Sequence, residues 1–382
     1  MPDPLKVFVV VGTRPEGVKM APLVNLLRAR PSEFDVFLST TGQHRSMLDA
    51  VMQSFGINTY DHDLNIMSAG QTLTQITTRA LEGLEPVLQG QKPDIVLAQG
   101  DTTTVLSASM AAAYQKIAFG HVEAGLRTDN KFDPFPEELN RRLTTQITDL
   151  HFAPTEQSRQ NLLREGVKPE AIYLTGNTVI DALLQVTTRR KGAEANASEG
   201  RMILATTHRR ENWGEPLEQI AYAFAEILDR FPDTNLVLPM HKNPIVREPL
   251  QRILGSNPRV RLIEPPDYLQ FVALMEQAHL ILTDSGGVQE EAPALGIPVL
   301  VLRRTTERPE GVTAGTSTLI GTERQDIVDA ASRLLSDETA YAAMSRAANP
   351  YGDGKAGERI AAAILHWAGR GERPADFDYQ GG

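Results

Sequence analysis

Asp284-Ser285-Gly286-Gly287 closes an apolar run ending at Thr283, and Glu291 stands four residues beyond Gly287. With 3.6 residues per turn, that carboxylate falls about one turn into a helix that starts at the glycines. Glycine lets a ligand approach the backbone closely, and a helix N-terminus offers free N–H groups to phosphate. A carboxylate beside them can accept hydrogen bonds from the two neighbouring hydroxyls of a ribose. Phosphate plus ribose is a nucleotide. A tight strand-to-helix turn with a surface glutamate is the plain alternative. Gly12-Thr13-Arg14-Pro15-Glu16, with Lys19 further on, offers a second anion site. Pro15 suits the first turn of a helix, where its missing N–H is not needed. Arg14 and Lys19 are then expected to point together at a diphosphate; two cations solvated on that turn is the alternative. The spacing is neither a Walker A loop nor a dinucleotide fingerprint.

Three acids come after apolar runs in the first half. Asp101 follows Gln99-Gly100, Glu123 follows Gly120-His121-Val122, and Glu137 lies in Phe135-Pro136-Glu137-Glu138 with Arg141 four residues on. Asp101 could equally be a helix N-cap, and Glu137 with Arg141 has the spacing of an ordinary helix ion pair. Glu123 is harder to explain structurally, because it ends a run among small residues beside Arg127. Three acids at loop positions facing one cleft suggest proton chemistry. In the second half, Thr206-Thr207-His208-Arg209-Arg210-Glu211-Asn212 and His241-Lys242-Asn243-Pro244 each follow an apolar run. A histidine there can orient a phosphate or shuttle a proton, or simply be a hydrogen-bonded loop residue. With no cysteine and no H-x-x-x-H spacing, no metal site is expected. The polar Arg303–Gly315 stretch could cover a sugar or base.

These residues need elements to hold them. Strand-like runs are expected at Lys6–Val11, Phe34–Thr40, Asp94–Ala98, Ile117–His121, Leu150–Ala153 and Ala171–Leu174, with helices such as Pro15–Arg30, Leu73–Leu88 and Thr102–Gln115 between them. A second series is expected at Met202–Thr206, Asn235–Pro239, Val260–Ile263, Leu280–Thr283 and Pro298–Leu302, with helices at Leu217–Arg230 and Gln325–Leu335. Thr187–Gly200, polar and without apolar period, reads as a linker or long loop. Strand–helix alternation predicts an α/β fold of two Rossmann-like domains, with ligands at the carboxyl ends of the strands in the cleft they face. The 382 residues suffice for two such cores. A net charge of −10 argues against a general affinity for nucleic acid or anionic membrane. The five-residue apolar run near the start is too short for a signal peptide, and no stretch approaches the roughly 18 apolar residues of a membrane span. A cytoplasmic enzyme is expected.

GTRPEGVKMAPL, GDTTTVL, GHVEAGLRT, FPEELNRR, GNTVIDAL, THRREN, ILTDSGGVQEEAPALGIPVL, TTERPEGVTAGT and NPYGDGKA together resemble the UDP-N-acetylglucosamine 2-epimerases. The resemblance runs from about residue 6 to about residue 366 and is to the bacterial non-hydrolysing type, which interconverts UDP-GlcNAc and UDP-ManNAc. It implies the glycosyltransferase-B fold, a homodimer and no cofactor. It also implies that a last helix near Gly357–Trp367 crosses back onto the first domain. The domains expected are 1–178 with 358–382, and 179–357. On the resemblance, Asp101, Glu123, Glu137 and Arg141 line the sugar side, Arg14, Ser285, Gly286 and Glu291 hold UDP, and His208 sits in the active site. Some family members carry a second, regulatory UDP-GlcNAc site, which would fall here on Gln43, His44, Arg210 and His241. The loop Ile66–Gln71 lacks an arginine that certain of those members place there. Gly17-Val18 stands where the family usually has Ala-Ile, a change that costs about 1 kcal/mol of helix stability.

The implied chemistry suits the residue set. C2 of the sugar is not next to a carbonyl, so simple enolisation cannot remove its proton. Anti elimination of UDP across C1–C2, giving 2-acetamidoglucal, followed by re-addition of UDP, needs a leaving-group site and carboxyl groups near C2. Which acid serves which face stays open. A hydrolysing epimerase, a glycosyltransferase of the same fold and a non-catalytic nucleotide-sugar sensor are the competing readings.

Overall fold

The computed structural model describes residues 3–43, 45–68, 70–128, 130–190 and 200–379. The chain divides into two compact units, one made of Met1–Ala182 and Gly352–Asp378, the other centred on Leu183–Tyr351. The first unit holds strands β1 (Leu5–Val11), β2 (Phe34–Thr40), β3 (His62–Asp63), β4 (Ile95–Gln99), β5 (Ala118–Val122), β6 (Leu150–Ala153) and β7 (Ile172–Leu174). They form one parallel sheet in the order β3-β2-β1-β4-β5-β6-β7. The second unit holds β8 (Arg201–Thr206), β9 (Thr234–Pro239), β10 (Val260–Ile263), β11 (Leu280–Thr283), β12 (Val299–Val301) and β13 (Ser317–Leu319). These also pair in parallel, in the order β10-β9-β8-β11-β12-β13.

A parallel strand covered on both faces must be apolar along its whole length. β1 reads Leu-Lys-Val-Phe-Val-Val-Val and is buried everywhere except Lys6. In each unit the first strand lies inside the sheet, with the next strand on one side and a later one on the other: β1 between β2 and β4, β8 between β9 and β11. The chain leaves β1 and β4, or β8 and β11, in opposite directions, and a crevice opens at their carboxyl ends. Gly12 and Gly100 follow the first pair, Thr207 and Asp284 the second. Each unit therefore carries its motif residues at its own topological switch point.

Three expectations change. β3 and β13 were not anticipated, since two residues of His-Asp and three of Ser-Thr-Leu present no apolar run. The linker expected from Thr187 begins later, because Thr187–Arg190 complete the helix Thr178–Arg190, with Val186 and Thr187 buried; residues 191–199 lie outside the described residues. Gly17 is more than a helix penalty. A Cβ there would stand 2.5 Å from Leu48 Cδ1, so the glycine lets the helix Arg14–Arg28 pack closely on its neighbour. The helix Ala356–Trp367 belongs to the first unit, where buried Asp181 accepts the free N–H groups of Ala356 (3.2 Å) and Gly357 (2.8 Å) at its start.

Candidate active site

In the first unit the turn after β1 is close-packed. A Cβ on Gly12 would overlap the hydroxyls of Thr41 and Thr104, which hydrogen-bond each other at 2.9 Å. Thr13 caps the helix Arg14–Arg28, and Glu16 folds back to accept from the N–H groups of Gly12 and Thr13. Glu16 also accepts from the Thr102 hydroxyl, yet burial outweighs these donors and raises its carboxyl from 4.5 to about 7. Lys19, expected to point with Arg14 at a diphosphate, has a carboxylate partner in the structure. Its amine reaches Glu123, Nζ to Oε1 2.5 Å, whereas Arg14 is exposed.

Glu123 directly follows β5 in left-handed backbone, φ +64°, a conformation uncommon for side-chain-bearing residues. Besides Lys19, the amide of Gln99 donates to this carboxylate, as does that of Asn177 at 2.8 Å. Its Oε2 lies 3.7 Å from the Cβ position of Gly100, so Glu123 and Asp101 share the same crevice. The N-cap reading of Asp101 does not hold, because Thr102 caps the helix Thr103–Tyr114. Asp101 instead accepts from Arg141 at 2.5 Å.

The alternative reading of Glu137 and Arg141 as a helix ion pair does not hold either among the described residues. Arg141 divides itself between Asp101 and buried Glu138, at 2.8 Å from the latter. Glu138 also accepts from the Thr128 N–H (3.1 Å) and from Arg142 (2.8 Å), so it fixes the loop and the helix Glu137–Gln146 together. Glu137, half-buried at the start of that helix, has no hydrogen bond or ion pair among the described residues. Beneath the group, His121 donates from Nε2 to the Gly100 carbonyl at 2.7 Å; burial lowers it to about 4 and keeps it neutral.

The second unit is organised by Asp284, a fully buried acid missed as a candidate. It accepts from the N–H groups of His208 and Arg209, both at 2.9 Å, and from Asn212 at 3.0 Å. The His208 ring stands on it as well, Nδ1 to Oδ1 3.1 Å, leaving Nε2 of this exposed side chain to face outward. Burial alone would raise Asp284; the His208 ring and the two backbone donors outweigh it and hold the carboxyl below its ordinary range. Its place directly after β11 was the signal in the sequence.

Ser285 is the N-cap of the helix Gly286–Ala294, with no side-chain cap bond, so the first N–H groups of the helix are not capped by its hydroxyl. The Cβ position of Gly286 lies 3.1 Å from Glu307 Oε1, 3.7 Å from Arg209 Nη2 and 4.0 Å from Arg308 Nη2, so a carboxylate sits between the two guanidiniums at this helix start. A helix N-terminus rimmed by two guanidiniums suits an anion. Glu307 steadies that rim, bonding Arg209 (2.6 Å) and Arg303 (2.5 Å); burial opposes its ionisation, but the three arginines hold it down at about 2. Gly287 is exposed, and Glu291 one turn on is buried, with Tyr268 donating to its Oε1 at 2.8 Å.

A family model described as UDP-N-acetylglucosamine 2-epimerase matches residues 26–365. The chain belongs to this family. It is 55% identical over 371 residues to the UDP-N-acetylglucosamine 2-epimerase of Escherichia coli K12, covering 94% of this chain and 98% of that one. It is 53% identical over 378 residues to the Bacillus subtilis enzyme of the same name, covering 98% of each. The solved UDP-GlcNAc 2-epimerase of Neisseria meningitidis, bound to UDP-GlcNAc, superposes with a TM-score of 0.86 at 47% identity, covering 95% of this chain and all of that one. Two parallel sheets with flanking helices, shared with these epimerases, are the glycosyltransferase-B-like fold that the resemblance implied.

Of the residues expected at a regulatory site, Arg210 and His241 both neighbour Trp213, the guanidinium 6.0 Å and the imidazole 6.5 Å from its ring. Gln43 is in the first unit, 3.4 Å from the Thr104 hydroxyl, and His44 lies outside the described residues. Among the described residues no group of three or more His, Cys, Asp or Glu is disposed to hold a metal ion, and no helix is long and apolar enough to cross a membrane.

Proposed function

We propose that this chain interconverts UDP-GlcNAc and UDP-ManNAc without hydrolysis, by anti elimination and re-addition of UDP. A carboxylate takes the C2 proton while the C1–O bond breaks and its electron pair leaves with UDP. The intermediate is 2-acetamidoglucal. UDP then attacks C1 again as a carboxylic acid delivers a proton to the other face of C2.

The acid set of the first unit is the observation that carries this reading. Glu123 accepts from Lys19, Gln99 and Asn177 and is the anchored member. Asp101 is bonded through Oδ2 to Arg141, and Glu137 is uncommitted. We assign proton transfer at C2 to Asp101 and Glu137, with Arg141 and Glu123 setting the field around them. In the second unit, Ser285 and the helix N-terminus at Gly286 and Gly287 take the diphosphate, Glu291 the ribose hydroxyls, and His208 a phosphate oxygen through Nε2. Donors aimed at charge that develops as UDP leaves lower the barrier more than they tighten substrate binding. Exposed Arg14 is a further diphosphate ligand in this reading. It also brings a cytoplasmic homodimer serving cell-surface polysaccharide synthesis, and UDP-GlcNAc regulation through Gln43, Arg210 and His241.

Proton NMR of the purified protein with UDP-GlcNAc in D2O, without nicotinamide or metal, tests the proposal. UDP-ManNAc carrying deuterium at C2 is expected. Free ManNAc and UDP as main products would move the chain to the hydrolysing reaction. Tight binding without C2 exchange would make it a transferase or a sensor.

A further inference from the structure

Tyr268 begins the helix Tyr268–Gln277, entered through a capping box between Asp267 and Gln270. That cap fixes the first turn, and with it the direction of the Tyr268 side chain. The phenol crosses to the helix Gly286–Ala294 and donates to Glu291 Oε1 at 2.8 Å. Burial, with the nearby Glu291 charge adding to it, raises the hydroxyl well above its usual range, so it remains a donor at every working pH. Glu291 is 6% exposed, and its Oε2 lies 3.8 Å from the Cβ position of exposed Gly287. One carboxylate oxygen accepts from the phenol, and the other lies near the start of the helix Gly286–Ala294.

A glutamate on a helix has three rotatable bonds, and a free one would spread its oxygens over many positions. Tyr268 removes that freedom. A pre-oriented carboxylate meets a vicinal diol with both acceptor directions fixed, whereas a mobile one must be ordered by the ligand itself.

We propose that Tyr268 is a positioning residue that sets the ribose selectivity of the nucleotide site by orienting Glu291 toward the 2′- and 3′-hydroxyls. The inference rests on the reading of Glu291 as the ribose acceptor. A site built to hydrogen-bond a hydroxyl discriminates strongly against the analogue lacking it, because its own polar group is then left unpaired. The selectivity should therefore depend on a residue that does not touch the ligand.

The test is titration calorimetry with UDP and with 2′,3′-dideoxy-UDP, on the wild-type chain and on Tyr268→Phe. The wild type is expected to prefer UDP by about tenfold or more, the scale of one hydrogen bond to a charged group. Tyr268→Phe should bring the two affinities within about threefold, mainly by weakening UDP, and raise KM for UDP-GlcNAc more than it lowers kcat. Replacing Tyr268 by 3-fluorotyrosine keeps the ring and the donor and should retain the preference, which separates positioning from simple packing. A preference unchanged in Tyr268→Phe, or lost equally with 3-fluorotyrosine, would overturn the role given to Tyr268. A wild type that binds both nucleotides equally would instead overturn the ribose reading of Glu291, and this inference with it.

Discussion

Lys19→Met distinguishes two places for one cation: over a diphosphate, as the spacing to Arg14 suggests, or on Glu123, where the structure has it. The Lys19 and Glu123 side chains are 15% and 5% exposed, so solvent screens their 2.5 Å contact only weakly. Removing one partner of a buried pair costs about 3–5 kcal/mol, because the other charge stays buried. Glu123 keeps the Gln99 and Asn177 amides, which puts the loss near the lower end, about 3 kcal/mol. A unit of roughly 200 residues loses about 2–4 °C of melting temperature per kcal/mol, so Tm should fall by about 6–12 °C.

The assay is thermal melting beside steady-state kinetics for Lys19→Met, Glu123→Gln and the double variant. Glu123→Gln should cost less, because Lys19 retains some access to water. The double variant leaves no unpaired charge and should recover most of the loss, giving a coupling energy above about 1.5 kcal/mol. kcat should fall in all three, since the acid set loses its anchored member or that member's partner. A Tm within about 1 °C of wild type, combined with a raised KM and a preserved kcat, would refute the reasoning and return Lys19 to the diphosphate.

Gly12→Ala should lower stability by about 1–3 kcal/mol through overlap with the Thr41 and Thr104 hydroxyls, and Thr104→Ala in the same chain should restore part of it; urea unfolding reads both. Burial raises Glu16 from 4.5 to about 7, so the folded chain binds its proton more tightly than the unfolded one. The resulting stability is present in full below pH 4.5 and is lost as pH rises through about 7, a change of about 3 kcal/mol. Urea unfolding from pH 5 to 8 should show that slope, and Glu16→Gln should flatten it; an equal slope in both refutes the assignment. Asp284→Asn should cost about 2 kcal/mol of stability and at least about tenfold in kcat, because an amide cannot accept from the His208 ring, two backbone N–H groups and Asn212 together. Unchanged UDP affinity and kcat in that variant would show that the His208 loop needs no such anchor.

Reading the chain as a sequence worked where one local physical rule decides the outcome. β1 was legible because a strand covered on both faces must be apolar throughout, and the turns after it and after β11 because glycine there admits close approaches. Partners were less legible. Glu137 and Arg141 have helix-pair spacing, but Arg141 bonds instead to Asp101 forty residues away and to buried Glu138. Lys19 and Arg14 share a helix, but a buried carboxylate at the end of β5 claims the lysine. Tyr268 gave no signal, since its contact with Glu291 depends on a helix that follows eighteen residues later. Periodicity predicts elements, and it is silent about pairs brought together by the order of strands in a sheet.

That order also explains why three similar acids can do different work. Each follows or flanks the crevice of one unit, so sequence position alone makes them equivalent. Their donors do not. Glu123 is fixed by a lysine and two amides in a backbone conformation that needs support, and moving a proton on and off it would break contacts that hold the turn. Asp101 shares a guanidinium with Glu138, and a change in its charge can be absorbed by the Arg141 pair that remains. Glu137 has no hydrogen bond or ion pair to break among the described residues. A reaction that takes a proton from one face of C2 and returns it to the other needs two groups that can change charge at low cost; the proposed assignment gives that work to Asp101 and Glu137 because the hydrogen bonds on Glu123 oppose such a change there.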